Sequence, residues 1–160
     1  MRVEELMTKA FQSCRPEDSL EHAAQLMWEH DCGSIPVCAP SGDALERAIG
    51  MITDRDICMN ALFRSKPLRE LTVGDAMSKE VRACRPGDSL FQAEKIMRDA
   101  RVRRLPVLNE QGAPVGVLSL GDLAREAARE RPGARHEITE AEVGDTLAAI
   151  SEPAAQPLAA

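Results

Sequence analysis

Tyrosine is missing from this 160-residue chain, and its aromatic side chains amount to Phe11, Trp28, Phe63 and Phe91. Modules that hold single-stranded nucleic acid stack bases on aromatic rings, so this composition argues against such a platform. A basic excess is missing too. There are 26 acidic and 20 Lys or Arg side chains, a net charge of −6, where a phosphate-backbone binder would carry a basic face. No long uncharged apolar run occurs, and Met1–Ala10 has no apolar core of a leader peptide. Neither a membrane helix nor a secretion signal is expected, and a soluble cytoplasmic protein is the default expectation.

The five cysteines (Cys14, Cys32, Cys38, Cys58 and Cys84) form no CxxC and are too irregular for a disulfide scaffold. His30 and Cys32 stand close together, but His22 and His136 share no ligand-like spacing with them, so no metal site is expected. There is no GxxxxGK[ST] phosphate loop, no nucleophile elbow and no Cys–His dyad with an orienting acid. Catalysis is therefore the least expected class.

What the chain does have is a repeat. Arg2–Asp43 lies over Thr72–Ala113 at an offset of seventy without a gap, with fourteen of forty-two positions identical. CRPEDSL at Cys14–Leu20 returns as CRPGDSL at Cys84–Leu90. After four extra residues around Ala44–Arg47 the offset becomes sixty-six, and GMITDRD from Gly50 lies over GVLSLGD from Gly116. The repeats are assigned to residues 1–66 and 67–130, followed by 131–160.

Each copy reads as strand, helix, strand, strand, helix. Phe11–Cys14 and Val81–Cys84 are expected as short strands, each stopped by a proline two residues on. Asp18 and Asp88 are expected as helix N-caps, with Glu21 closing a capping box in the first copy. Leu20, Ala23 and Met27, and likewise Leu90, Ala93 and Met97, recur at helical spacing and mark a buried face. Ile35–Cys38 with Ala48–Ile52, and Leu105–Leu108 with Val115–Leu118, are expected strand pairs. A closing helix runs from about Asp54 and from about Leu120. The crossover pairs the first two strands in parallel and the turn makes the third antiparallel. Three strands and two helices bury too little alone, so two copies packed by a pseudo-two-fold, with two clefts between them, are expected. The fold class is α+β.

The ordered set Met7-Thr8, Pro16-x-Asp18-Ser19-Leu20, Ile35-Pro36-Val37 and Gly50–Asp56 recurs as Met77-Ser78, Pro86-x-Asp88-Ser89-Leu90, Leu105-Pro106-Val107 and Gly116–Asp122. Over about residues 1–130 this resembles a tandem CBS-domain pair, the cystathionine-β-synthase or Bateman module, and its short stand-alone bacterial members. The resemblance implies a non-catalytic regulatory module that binds an adenosine-containing ligand (AMP, ADP, ATP, NAD or S-adenosylmethionine) and requires no cofactor. It also implies a homodimer, and an output passed to an effector protein.

By that resemblance Asp56 and Asp122 would hold ribose hydroxyls, while Thr53 and Ser119 contact ribose or phosphate. Backbone near Met7–Ala10 or Met77–Glu80, with Ile35, Pro36 and Val102, would frame adenine. From spacing alone, Thr53-x-x-Asp56 and Ser119-x-x-Asp122 are also capping boxes, and the two roles can coexist at a helix N-terminus. Before its Leu-Pro-Val the second copy carries Arg101-Val-Arg-Arg104, where the first has Asp31-Cys-Gly-Ser34. Arg103 and Arg104 are expected to grip phosphate, with Arg101 left to solvent. If only one site functions, the one centred on Asp122 is expected to be it.

An alternative reading is a ligand-poor stress-response or protein-interaction module carrying a redox disulfide. Cys14 and Cys38 would lie at the ends of neighbouring parallel strands, within reach of one another. Beyond Arg129, Arg131-Pro-Gly133 should break the helix. Thr139-Glu-Ala-Glu142 should cap a short amphipathic helix bearing Val143, Leu147 and Ile150, before a tail from Ser151.

Overall fold

The structure, a computed structural model, describes residues 1–40, 46–129 and 138–152. The helix break at Arg131–Gly133, the insertion at Ala44 and Leu45 and the part of the tail beyond Glu152 lie outside these residues, while Ser151, expected to open that tail, is still helical. In chain order the elements are α1 (Val3–Leu6), α2 (Leu20–Glu29), β1 (Ser34–Pro40), β2 (Glu46–Thr53), α3 (Asp54–Arg64), a 3-10 turn (Leu68–Glu70), α4 (Val73–Ala76), α5 (Leu90–Ala100), β3 (Arg104–Leu108), β4 (Pro114–Ser119), α6 (Leu120–Arg129) and α7 (Glu140–Ser151). β1–β2 and β3–β4 are antiparallel pairs, each with a bulge at the same place, Val37/Cys38 and Val107/Leu108.

The expected first strands shrink to one residue each. Cys14 bridges Val37 and Cys84 bridges Val107, both in parallel. Cys14 N–H donates to the Pro36 carbonyl at 3.1 Å and the Cys14 carbonyl accepts from Cys38 N–H at 2.8 Å. Pro16 and Pro86 end the pairing after that residue, and Phe11 and Gln12 turn aside to line a cleft. The caps also differ from expectation. Ser19 and Ser89, not the aspartates, accept from the N–H of His22 and Gln92, and Gln92 completes the box in the second copy. Asp18 and Asp88 reach backwards and accept from the N–H of Arg15 and Arg85 at 2.7 Å, closing the CRPxD turn. Leu20, Ala23 and Met27 of α2, and Leu90, Ala93 and Met97 of α5, are buried as their spacing requires.

Two apolar cores form, and each borrows from across the division at Lys66/Pro67. Val3 lies in the core of the second repeat, while Leu71 and Val73 lie in the core of the first. Val3 N–H donates to the Asp88 carbonyl and Glu4 N–H to the Pro86 carbonyl, both at 3.0 Å. In the mirror arrangement Val73 N–H donates to Asp18 at 2.9 Å and Gly74 N–H to Pro16 at 2.8 Å. Past these helices, Thr8 exchanges backbone bonds with Val117 of β4 at 2.9 and 3.0 Å, and Ser78 with Met51 of β2 at 2.9 and 3.0 Å. The repeats are thus interlocked by their leading segments.

That interlock brings backbone against Gly50 and Gly116. A Cβ on Gly50 would sit 2.6 Å from the Ser78 carbonyl oxygen, whereas on Gly116 it would meet first the flexible Met7 thioether, also at 2.6 Å. Backbone cannot retreat as a methionine tip can. Gly50→Ala should destabilise the protein by about 1–3 kcal/mol, the usual cost of overpacking, and Gly116→Ala by less. Urea unfolding of both variants checks this. Equal losses would contradict the assignment of the Gly50 contact.

Candidate functional site

The pseudo-two-fold produces two clefts between the repeats. One, of about 280 Å³, is lined by Thr8, Ala10 and Gln12 from the leading segment, by Ser34 and Ile35 of β1, and by Ser119, Asp122 and Arg125 of the second repeat. The other, of about 510 Å³, carries the equivalents: Ser78, Glu80 and Arg82, then Val102, Arg103 and Arg104, then Thr53 and Asp56. Each cleft therefore takes its carboxylate from one repeat and its opposite wall from the other. Arg104 lines both clefts, as does its counterpart Ser34.

At both helix starts the capping box is complete. Thr53 Oγ1 donates to Asp56 Oδ2 at 2.7 Å, Thr53 N–H donates to the same oxygen at 3.0 Å, and Asp56 N–H donates back to Oγ1 at 3.1 Å. Ser119 and Asp122 repeat the pattern at 2.7, 2.8 and 3.1 Å. The cap occupies one carboxylate oxygen in each case. In the smaller cleft the other oxygen, Asp122 Oδ1, takes an ion pair from Arg125 one turn on, and Asp122 is buried. The Asp56 carboxylate accepts both cap bonds through Oδ2, and its side chain is only half-buried.

Cations are also unequally shared. Arg55, Arg82, Arg101, Arg103 and Arg104 line the larger cleft; Arg104 and Arg125 line the smaller. Arg82 pairs with Glu80, and Arg101 with Glu152 at 3.1 Å. Among the described residues Arg55, Arg103 and Arg104 make no ion pair, which leaves them available to an anion. The Asp122 carboxylate, expected to be the one in use if only one site functions, already takes an ion pair from Arg125, whereas the Asp56 cleft holds more cations. Pro36 is buried within β1 and lines neither cleft. Arg101 is exposed, as expected, and pairs with Glu152 at the mouth of the larger cleft. Arg125, Arg82 and Ile150 were not legible as cleft residues. The i,i+3 spacing of Asp122 and Arg125 was the available signal for the first.

Cys14 and Cys38 are free. Cys14 pairs with Val37, so Cys38 stands one residue out of register and alternates to the other face of the sheet. Burial raises the Cys38 thiol pKa and pushes those of Cys14 and Cys84 up to about 12, so all three stay protonated and poor nucleophiles. The bridge read as possible between them is not formed in the structure.

Known proteins share this arrangement. The CBS domain family model matches residues 3–61 and 73–129. The chain belongs to the CBS-domain family and carries two copies of the domain. The CBS domain-containing protein YhcV of Bacillus subtilis is 33% identical over 124 residues, covering 76% of this chain and 82% of that protein. The crystal structure of Hypoxic Response Protein I with two coordinated zinc ions superposes with a TM-score of 0.69 at 29% identity, covering 78% of this chain and 98% of that one. Here, among the described residues, no three His, Cys, Asp or Glu side chains converge as metal ligands. The crystal structure of CBSX2 in complex with AMP shares the fold, with a TM-score of 0.64 at 24% identity over 80% of this chain and 96% of that one. Among the described residues no helix is long and apolar enough to cross a membrane.

The thiol assignment carries a pH dependence. Above pH 9 the unfolded chain releases thiol protons that folded Cys14 and Cys84 retain. Their contribution to stability is therefore intact below pH 9 and lost as pH rises toward about 12. The urea midpoint should fall over that range, and fall less steeply in a Cys14→Ala/Cys84→Ala variant. Parallel curves for the two proteins would contradict the burial assignment.

Proposed function

We propose that this chain is a non-catalytic sensor that binds an adenosine-containing ligand in the clefts between its repeats and passes occupancy on to another protein. One observation carries the reading: a capped carboxylate of one repeat faces a wall of the other, twice, across a pseudo-two-fold, and in the larger cleft that opposite wall is cationic. A carboxylate beside a helix N-terminus suits a ribose diol, since it accepts both hydroxyls while the neighbouring amides favour phosphate. Val102 and Ile35 offer apolar surface to a base. A related fold carrying AMP supports the ligand class.

The unequal charge of the clefts divides their roles. With Arg55, Arg103 and Arg104 available, the larger cleft suits a ligand with a phosphate chain, such as ADP or ATP. In the smaller, a ligand must compete with Arg125 for Asp122 or draw that guanidinium onto its own phosphate. Because each ligand spans both repeats, it favours whichever inter-repeat geometry it fits better, and that difference is the signal. Pairing of two copies, which the family resemblance implies, belongs to the same reading.

Calorimetry with AMP, ADP, ATP, NAD and S-adenosylmethionine tests it. At least one should bind. Asp56→Asn, which keeps an acceptor for the cap, should weaken the larger site about 10–100-fold, the usual effect of losing a charged hydrogen-bond partner. Asp122→Asn should leave that site unchanged. No binding by any of the five, or unchanged affinity in both variants, would overturn the proposal.

A further inference from the structure

The larger cleft has a wall that comes from neither repeat. α7 lies beyond Arg129, where the second CBS copy ends, and packs across α5 and α6. Thr146 pins its middle. Fully buried, it donates to Glu94 Oε1 at 2.8 Å and accepts from Arg98 at 3.2 Å. One turn on, Ile150 is buried in the core of the second repeat and also lines the larger cleft. Two residues further, Glu152 pairs with Arg101 of the same cleft at 3.1 Å. Among the described residues the smaller cleft is lined by the two repeats alone, and Asp31 stands there in the place of Arg101.

The end of α7 leans on that one cation. Carbonyls at a helix C-terminus carry negative partial charge and favour a cation beside them. The last turn of α7 holds no basic residue, and the acid Glu152 follows it. Arg101 therefore supplies from outside the charge that this terminus lacks. The contact is easily broken, because the arginine side chain is 48% exposed and the glutamate 65%. An exposed pair of this kind shifts an equilibrium by about 5-fold at most. A terminal phosphate brings about −1.5 to −2 charges at pH 7 against the single charge of a carboxylate, and it fits the same guanidinium fork. It is the stronger partner for Arg101.

We propose that Arg101 has two alternative partners, and that Glu152 sets the ligand specificity of the larger cleft. Glu152 holds Arg101 until a ligand brings a phosphate chain long enough to reach the cleft mouth. The ligand then takes the guanidinium, and the last turn of α7, residues 148–151, comes loose while Thr146 keeps the rest of the helix in place. Adenosine offers no anion to Arg101 and leaves the turn docked. The loosened turn is a change of surface that another protein can read. This inference rests on the reading of the larger cleft as a nucleotide site.

Amide hydrogen exchange on the full chain tests it, at matched ionic strength because salt screens an exposed pair. Without ligand, Glu152→Gln should speed exchange of residues 148–151 about 5-fold and leave residues 144–146 unchanged. Saturating ATP should do the same to the wild type, and adenosine should not. Arg101→Gln should loosen the turn without ligand, and ATP should then add nothing. In calorimetry, Glu152→Gln should bind ATP about 5-fold more tightly than the wild type and bind adenosine equally well. A Glu152 that only steadies the helix would alter exchange and leave both affinities alone. That result, or ATP bound with the turn still protected, would overturn the inference and leave the nucleotide site standing. If neither ATP nor adenosine binds, both fall together.

Discussion

Everything in this molecule depends on the exchange of leading segments between its two repeats. Val3 and Val73, each fully buried, fill the core of the opposite repeat, at about 1.5–3 kcal/mol apiece for an aliphatic side chain. The backbone that carries them is tied down at both ends, first to the CRPxD turn and then to β2 or β4. This explains why the seven-residue stretch from Cys14 and from Cys84 is spelled so nearly alike. Its proline and aspartate carbonyls are the sockets for the neighbour's first amides, and its aspartate side chain folds the turn that presents them. The serine that follows caps the next helix. None of these roles needs the cysteine as a reagent, and its burial removes that chemistry.

The same exchange makes the clefts. Because Thr8 pairs with Val117 and Ser78 with Met51, the segments from Thr8 to Gln12 and from Ser78 to Arg82 run across the opposite repeat. There they meet its capped carboxylate. Neither repeat owns a complete cleft, so whatever occupies one senses the relation between both repeats. Arg104 stands at the centre of that relation, lining both clefts. Duplication supplied the symmetry. Divergence at Asp31–Ser34 against Arg101–Arg104, and at Arg125, made the two sides chemically unequal.

Much of this is legible in the amino-acid sequence. The repeat offset, the buried faces of α2 and α5, the hairpins and the helix starts at Asp54 and Leu120 follow from local pattern and hold in the structure. The capping box at Thr139 does as well. The misses have physical causes. Cap identity at Asp18 and Ser19 turned on which of two adjacent acceptors faces the helix amides, a choice made by the CRPxD turn and invisible to spacing. Leu147, named with Val143 and Ile150 as apolar residues of that helix, is 46% exposed while Thr146 is buried on Glu94, because the helix meets a polar partner that no periodicity reveals. Segment exchange could not be read at all, since Val3 and Val73 suit either core equally well. Cleft membership of Arg82 follows from that exchange and that of Ile150 from α7, and both were hidden with them.

Native-state hydrogen exchange at the four amides of Thr8, Val117, Met51 and Ser78 tests the interlock most directly. If each repeat is held together by the other's leading segment, these amides open only when the whole molecule unfolds. Their opening free energies should then equal one another and those of the core amides of Ile52 and Leu118. Exchange of Thr8 or Ser78 through a separate, lower-energy opening, with Ile52 and Leu118 still protected, would contradict it.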